Sequence, residues 1–303
     1  MDACRRQVTR SGFVVLDKPA GLSSARALDA WRPKGGRRRS RPRIGHAGTL
    51  DPFATGVLLV LLGEATRFAR MAMGLPKTYR ATVRFGIETD TLDPTGEVVR
   101  IADAGPVAPP ALDAAIAAQL GSVTQAPPAF SALRVDGTRA YRLARAGESP
   151  RLAARTVRID SIAIRQSDWP EVTLDVVCGA GTYLRALARD LGAALGLPAS
   201  LRALRRTAIG PFVAAPEAPS IRPLIDLLTA AGIPSLHVDS ARALRFAQGN
   251  AIPGGGDGPQ VAVVHGGEVV GVGRVLPGGD VCGGLVLRSA RESLEADNRI
   301  RRG

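Results

Sequence analysis

Strict alternation of apolar and polar positions in Tyr79–Phe85 (YRATVRF) predicts a strand with one buried face. Gly12–Leu16 (GFVVL) is a short β-branched and aromatic run that ends at Asp17-Lys18-Pro19, which reads as a strand entering a turn. Val57–Leu62 is an unbroken run of six apolar residues closed by Gly63, a length that suits a buried strand. Thr156–Arg165 and Val172–Cys178 read as two more strands. Helical spacing covers Ala65–Met73 and the amphipathic stretch Pro109–Leu120. Ser23 or Ser24 can cap a helix running to about Trp31, Gly179 and Gly181 open one over Gly181–Leu195, and Ile221–Ala231 forms a helical connector. The acidic turn Thr89–Gly96 is expected to join Tyr79–Phe85 to Glu97–Ile101 in a hairpin, and Gly45–Gly48 reads as a Gly-rich turn. Thr124–Ser149, with Pro127-Pro128 and Gly137, is a long extended excursion of the kind that often carries function. From about Ser235, short β runs (Val261–Val264, Val269–Val272) alternate with Gly/Pro turns.

These strands are not regularly separated by crossover helices, so the expected class is α+β. The architecture is a mixed, largely antiparallel central sheet with flanking helices, followed by a small β-rich domain. A length of 303 residues allows about two domains, placed here at 1–232 and 233–303. With 45% apolar residues the chain can bury a full core. Its three cysteines are too few and too scattered for a disulfide framework or a zinc knuckle. The Val57–Leu62 run is too short to span a bilayer and the N-terminus lacks the apolar run of a signal peptide, so a soluble cytoplasmic protein is expected.

Charge sharpens the picture. The formal net charge is +13 and the pI near 11.0, a balance that points to a polyanionic partner. Residues 1–50 hold twelve Lys/Arg against three Asp, with seven of those bases in Arg32–Arg43. A second basic set, Arg185, Arg189, Arg202, Arg205 and Arg206, surrounds Asp190, whereas residues 236–290 are neutral. Backbone-phosphate contacts are therefore expected from the first two-thirds of the chain. Of 40 basic residues 37 are Arg and three are Lys, so Lys18 and Lys77 mark places that want a compact ammonium.

No dinucleotide, P-loop, zincin or hydrolase-elbow motif is present, and the three histidines (His46, His237, His265) do not form a spaced metal site. Glu88, Asp90, Asp93 and Glu97 read as a solvated acidic turn. An enzyme built on this chain is expected to use neither cofactor nor metal. The most unusual segment is Gly45–Gly56 (GHAGTLDPFATG). Gly45, Gly48 and Gly56 permit tight turns, and Pro52 pushes Asp51 out of the α region, presenting it from a loop just before the buried run. By residue type alone, Asp51 is either a reactive carboxylate or the cap of the Pro52–Thr55 turn.

That segment resembles the catalytic motif of the bacterial tRNA pseudouridine synthase B (TruB) family, and further matches follow in order. They are LDKPAGLSS (Leu16–Ser24), GEATRF (Gly63–Phe68), KTYRATVRFGIETDTLDPTGEV (Lys77–Val98), PPAFSALRVDGTRAYRLAR (Pro127–Arg145), GAGTYLRALARDLG (Gly179–Gly192) and LRALRR (Leu201–Arg206). Together they cover roughly residues 12–212, and the tail resembles the family's PUA-like domain in layout only. The resemblance implies isomerisation of the uridine at position 55 in the tRNA T loop, with Asp51 as nucleophile and Arg185 as its ionic partner. Tyr79 would stack on the target base, Tyr183 and Leu204 would line the uridine pocket, and His46 would help hold the extruded nucleotide. Lys18 would support the pocket, and the arm at about 124–149 would clamp the RNA. The implied partner is the tRNA T-arm stem-loop, with no membrane, no obligate protein partner, and a monomer as the working unit. The bland alternatives are core packing for Tyr79 and Leu204, a phosphate clamp for Arg185 and a structural hydrogen bond for His46. A non-catalytic tRNA-binding or folding protein is the competing function. Arg67 stands where the family commonly has Lys, and Phe53 where Leu is usual.

Overall fold

The alternation in Lys77–Phe85 is realised fully: Lys77, Tyr79, Ala81, Val83 and Phe85 are buried while Thr78, Arg80, Thr82 and Arg84 are half-exposed. The structure, a computed structural model, describes residues 11–29, 43–131, 133–135, 137–148, 152–215, 217–256 and 258–302. The strands are β1 (Gly12–Lys18), β2 (Ile44–Ala47), β3 (Thr55–Leu62), β4 (Lys77–Phe85), β5 (Ile87–Thr89), β6 (Val98–Ile101), β7 (Gly121–Gln125), β8 (Arg134–Val135), β9 (Thr138–Arg139), β10 (Arg155–Asp168), β11 (Glu171–Cys178), β12 (Ala199–Ile209), β13 (Phe212–Val213), β14 (Arg222–Pro223), β15 (Ser235–His237), β16 (Gln260–His265), β17 (Glu268–Val275) and β18 (Val281–Val286). The α-helices are α1 (Ser24–Ala27), α2 (Ala69–Gly74), α3 (Pro109–Ala117), α4 (Ala140–Arg145), α5 (Leu184–Ala194), α6 (Leu224–Ala230), α7 (Ser240–Ala247) and α8 (Arg288–Arg302), with a 3₁₀ helix at Gly63–Phe68.

The central sheet runs β14-β1-β3-β12-β4-β11-β10-β7, with β2 added on β3 and β13 on β12. Every pairing in it is antiparallel except the short parallel contact between β3 and β12. That makes the mixed, largely antiparallel sheet expected from the sequence. The parallel contact depends on Gly56, which has a φ of +101° and lies so close to β12 that a Cβ would sit 2.1 Å from the Arg206 carbonyl oxygen. Helices α3 and α5 cover one face. Leu184, Leu187, Ala188 and Leu191 of α5 pack on Tyr79, Ala81, Leu174, Val176 and Leu204, each fully buried large side chain contributing about 1.5–3 kcal/mol.

A separate four-stranded sheet, β15-β16-β17-β18, carries α7 and α8. Leu224, Leu227 and Leu228 of α6 join it to β1 and β3 through a shared apolar cluster with Val269, Val272 and Leu287. Glu64 adds a polar clasp, accepting from the Arg288 and Ser289 backbone N–H groups and from the Ser289 hydroxyl at the start of α8. These N–H groups belong to the unsatisfied first turn of the helix, and they hold the Glu64 carboxyl below its ordinary range against the opposing effect of burial. Arg67 donates to the Val286 carbonyl at 2.6 Å, so its guanidinium helps close the same joint.

Several sequence expectations are revised. Gly45 is not in a turn but in β2, while Gly48 and Gly56 do adopt positive φ. Ser23 is the cap, yet α1 ends at Ala27 rather than near Trp31, and residues 30–42 lie outside the described residues, as does all of the Arg32–Arg43 run except Arg43. Glu97–Ile101 does not pair with Tyr79–Phe85. Gly86, with a φ of +86°, turns the chain so that β6 pairs instead with β5. The LRALRR segment was not anticipated as a strand, yet it forms β12 at the centre of the sheet. The excursion after Thr124 holds the β8–β9 hairpin and α4, and Ser149 lies outside the described residues.

Candidate active site

Where β3 and β12 run parallel, the loop Gly48–Ala54 crosses the ends of the strands and a cavity of about 350 Å³ opens. Asp51, Tyr79, Tyr183, Arg185 and Leu204 all line it. Five of the seven candidate residues therefore converge from four sequence segments on one space. A second cleft of about 460 Å³ lies between β14, β17 and α8 and contains none of them.

Lys18 holds the Asp51 loop from behind. Its ammonium donates to the carbonyls of Pro19 (2.9 Å), Leu22 (2.7 Å) and Pro52 (3.3 Å), the last belonging to the residue after Asp51. Three N–H groups meet three carbonyls, which a planar guanidinium cannot reproduce. Burial lowers the Lys18 pKa, with Arg206 acting in the same direction and Asp51 opposing. From the other side the Ser24 hydroxyl donates to the Leu50 carbonyl and accepts from the Leu50 N–H, fixing the residue before Asp51.

The Asp51 backbone carbonyl accepts from the Ala54 N–H, closing the Pro52 turn, but its side chain reaches into the cavity. Oδ2 lies 2.9 Å from Arg185 Nε in an ion pair whose N–H is aimed off the oxygen. The Arg185 side chain is 5% exposed and that of Asp51 34%, so the acid is reachable and the cation is not. Burial is the largest influence on Asp51 and pushes its pKa up, with Asp93 adding to the rise. Arg185 and Lys18 pull the other way. The net direction is upward. Arg185 is thus needed to keep the carboxyl ionisable where burial disfavours the charge.

Arg185 has a second acidic neighbour that the sequence reading missed. Asp93, read there as part of a solvated turn, is buried with Oδ2 3.6 Å from Arg185 Nη1. Its Oδ1 accepts from the hydroxyls of Thr91 and Thr95 and from the Thr95 N–H. The remaining guanidinium donors go to the Thr91 carbonyl (2.8 Å) and the Phe130 carbonyl (2.9 Å). One arginine therefore ties the Asp51 loop, the β5–β6 turn and the arm together.

Tyr79 is buried on the inward face of β4, its ring lining the cavity and its hydroxyl pKa raised by burial. The Arg206 guanidinium stands 6.0 Å from that ring, beside it in the β4–β12 register. Arg206 is 1% exposed and donates to the carbonyls of Val57 (2.7 Å) and Gly48 (3.0 Å), linking β12, β3 and the Asp51 loop. Tyr183 stands at the N-cap of α5, where its N–H donates to Gln125 Oε1 and its ring meets Arg155 at 4.7 Å. Leu204 is buried beside Ala81.

His46 is not brought to the cavity. It sits in β2 opposite Val60, its Nδ1 buried with no partner among the described residues, and its pKa is lowered by burial and then by Arg206. The second basic set is also used differently from expectation. Arg185 and Arg206 are buried, while Arg202 and Arg205 face Glu171 and Asp17 on the outer surface. The described residues contain no group of three or more His, Cys, Asp or Glu side chains able to hold a metal, and no helix among them is long and apolar enough to cross a membrane.

Residues 37–184 match the model of the TruB family pseudouridylate synthase N-terminal domain. A protein named tRNA pseudouridine synthase B from Mycobacteroides abscessus is 46% identical over 210 residues, covering 68% of this chain and 69% of its own. Proteins of the same name from Mycobacterium tuberculosis (strain H37Rv) and Synechococcus elongatus are 42% and 44% identical, over 79% and 77% of both chains respectively. Among solved structures, a chain of "Structure of H/ACA RNP bound to a substrate RNA containing 2'-deoxyuridine" superposes with a TM-score of 0.63 at 23% identity, covering 91% of this chain and 84% of that one. A chain of "Crystal Structure of a Cbf5-Nop10-Gar1 Complex" gives 0.62 at 22%, covering 95% and 83%. At those identities the structural likeness speaks for the fold.

Proposed function

The chain belongs to the TruB family of pseudouridylate synthases, and on that premise we propose how its residues divide the work. The reaction is isomerisation of uridine in tRNA to pseudouridine, and the target is the uridine at position 55 of the T loop. That uridine is swung out of the folded loop into the 350 Å³ cavity. The Tyr79 ring and the Leu204 side chain replace the stacking lost on extrusion, an exchange worth about 1–3 kcal/mol per base. Asp51 attacks or stabilises the electrophilic sugar carbon as uracil leaves through N1. The free base rotates and rejoins through C5, C5 loses its proton and N1 gains one, so atoms balance with no co-substrate. Arg185 positions Asp51 and offsets the burial that opposes its ionisation. Lys18 positions the loop, Tyr183 borders the pocket, and His46 acts on the RNA outside the cavity. The arm at about 124–149 clamps the T-arm stem-loop. Residues 1–232 form the catalytic domain and 233–303 an accessory PUA-like one, in a cytoplasmic monomer with no obligate protein partner.

The observation that carries this reading is the convergence of a reachable carboxylate, its buried guanidinium partner and an aromatic ring on one cavity. The test compares wild type with Asp51→Asn on an unmodified T-arm stem-loop, mapping pseudouridine at base resolution. Product is expected only with wild type, falling at least about 10³-fold in the variant, with RNA binding similar in both. Binding without product by the wild type would leave a tRNA-folding protein instead.

A further inference from the structure

Among the described residues Ser131 is the one cavity-lining hydroxyl on the arm, and nothing in the proposed chemistry uses it. It is 4% exposed, and its Oγ has no hydrogen-bond partner among the described residues. A buried hydroxyl is normally satisfied. One that borders an open cavity beside Asp51 and Tyr79 is available to a ligand there. Its backbone is held on three sides. The Ser131 N–H donates to the Ala129 carbonyl (3.0 Å), the Ser131 carbonyl accepts from the Tyr141 N–H (3.1 Å), and the preceding carbonyl, of Phe130, accepts from Arg185. The guanidinium that pairs with Asp51 therefore also holds the residue before this hydroxyl.

We propose that the Ser131 hydroxyl pairs with the polar edge of the extruded uracil, so that the arm reads the base as well as holding the RNA. An extruded uracil leaves behind the partners of its N3–H and its two carbonyls; Thr49, Lys77, Arg155 and Thr182 also line the cavity, but Ser131 is the hydroxyl there that is buried and has no hydrogen-bond partner among the described residues. A hydroxyl can donate to one of the uracil carbonyls, and a site built around such a bond rejects an analogue that accepts it poorly.

The inference rests on the uridine reading of the site. Its test is single-turnover pseudouridine formation on T-arm stem-loops carrying uridine, 2-thiouridine or 4-thiouridine at the target, sulfur being the weaker acceptor. Wild type is expected to favour uridine over the thio analogues. Ser131→Ala should slow uridine turnover about tenfold and narrow the gap to at least one thio analogue, and Ser131→Thr, which keeps the hydroxyl, should restore both. Equal slowing on all three RNAs, unchanged gaps, or a wild type indifferent to sulfur would overturn the proposal while leaving the uridine reading intact. Absence of product from wild type on uridine would overturn that reading and this one with it.

Discussion

The two faces of the central sheet put the same residue type to opposite uses. On the outer face Arg80 pairs with Asp175, its β11 neighbour, at 3.0 Å, and Arg84 with Glu171 at 3.1 Å, the two arginine side chains 41% and 42% exposed. Arg165 and Arg202 lean on the same two acids. Water solvates all of these charges, so each pair adds little. On the inner face Arg185 and Arg206 are almost wholly buried, and their guanidinium groups donate to carbonyls and stand against carboxylates and an aromatic ring. There the cost of removing a charge from water is large, and each contact that offsets it fixes a piece of the active site. Burial, not the number of ion pairs, decides which arginines matter.

The largest contrast is expected at Arg185. Arg185→Met leaves Asp51 and Asp93 without their shared cation and should cost about 3–5 kcal/mol of stability, with loss of activity. Arg185→Lys should recover little, because an ammonium cannot reach Thr91, Phe130 and both acids together. Denaturant melts and the pseudouridine assay read both outcomes.

Lys18 tests the same principle by charge-conserving exchange. Lys18→Arg keeps the charge but not the three-carbonyl geometry, and should cost about 1–3 kcal/mol and displace the Asp51 loop, seen as a fall in single-turnover rate. A silent Lys18→Arg would show that charge alone suffices there.

Asp51 gives a smaller effect with a defined sign. Its folded pKa is raised, so the native state holds a proton that the unfolded state releases at lower pH, and its ionisation costs stability as pH rises through that window. Asp51→Asn is therefore expected to melt higher than wild type at neutral pH, the difference closing as pH falls below the ordinary carboxylate range. By the same shift, wild-type activity should climb with pH as the carboxyl ionises. A variant that melts lower than wild type at neutral pH would mean that Arg185 outweighs burial.

The outer face should barely respond. Arg84→Ala and Asp175→Ala are each expected to change stability by about 0–1 kcal/mol and leave pseudouridine formation unchanged. A substantial loss of activity in either would place this face in contact with the RNA.

Much of the architecture was legible because it is local. Lys77–Phe85 and Glu171–Cys178 alternate, and Val57–Leu62 is apolar throughout, so each strand declares itself. The strand β12 did not, because its arginines at 202, 205 and 206 obscure the apolar alternation: one of them, Arg206, points inward where an apolar residue would be expected. The β5–β6 ribbon was mispaired because a glycine at positive φ redirects the chain, a choice that alternation does not encode. Asp93 looked like its solvated neighbours Glu88, Asp90 and Glu97, and only its position against Arg185 sets it apart. For Lys18 the faint signal was real: a lysine kept in an arginine-rich chain sits under three carbonyls.

The residues alone determined the strand and helix types over most of the chain, the mixed α+β class and the singular Asp51 loop, since periodicity and turn chemistry act within a few positions of each other. Which charges lose their water was decided by the folded chain. Arg185 meets Thr91 across 94 positions and Arg206 meets Val57 across 149. Desolvation depends on what packs around a group in space, and no stretch of neighbouring residues carries that information.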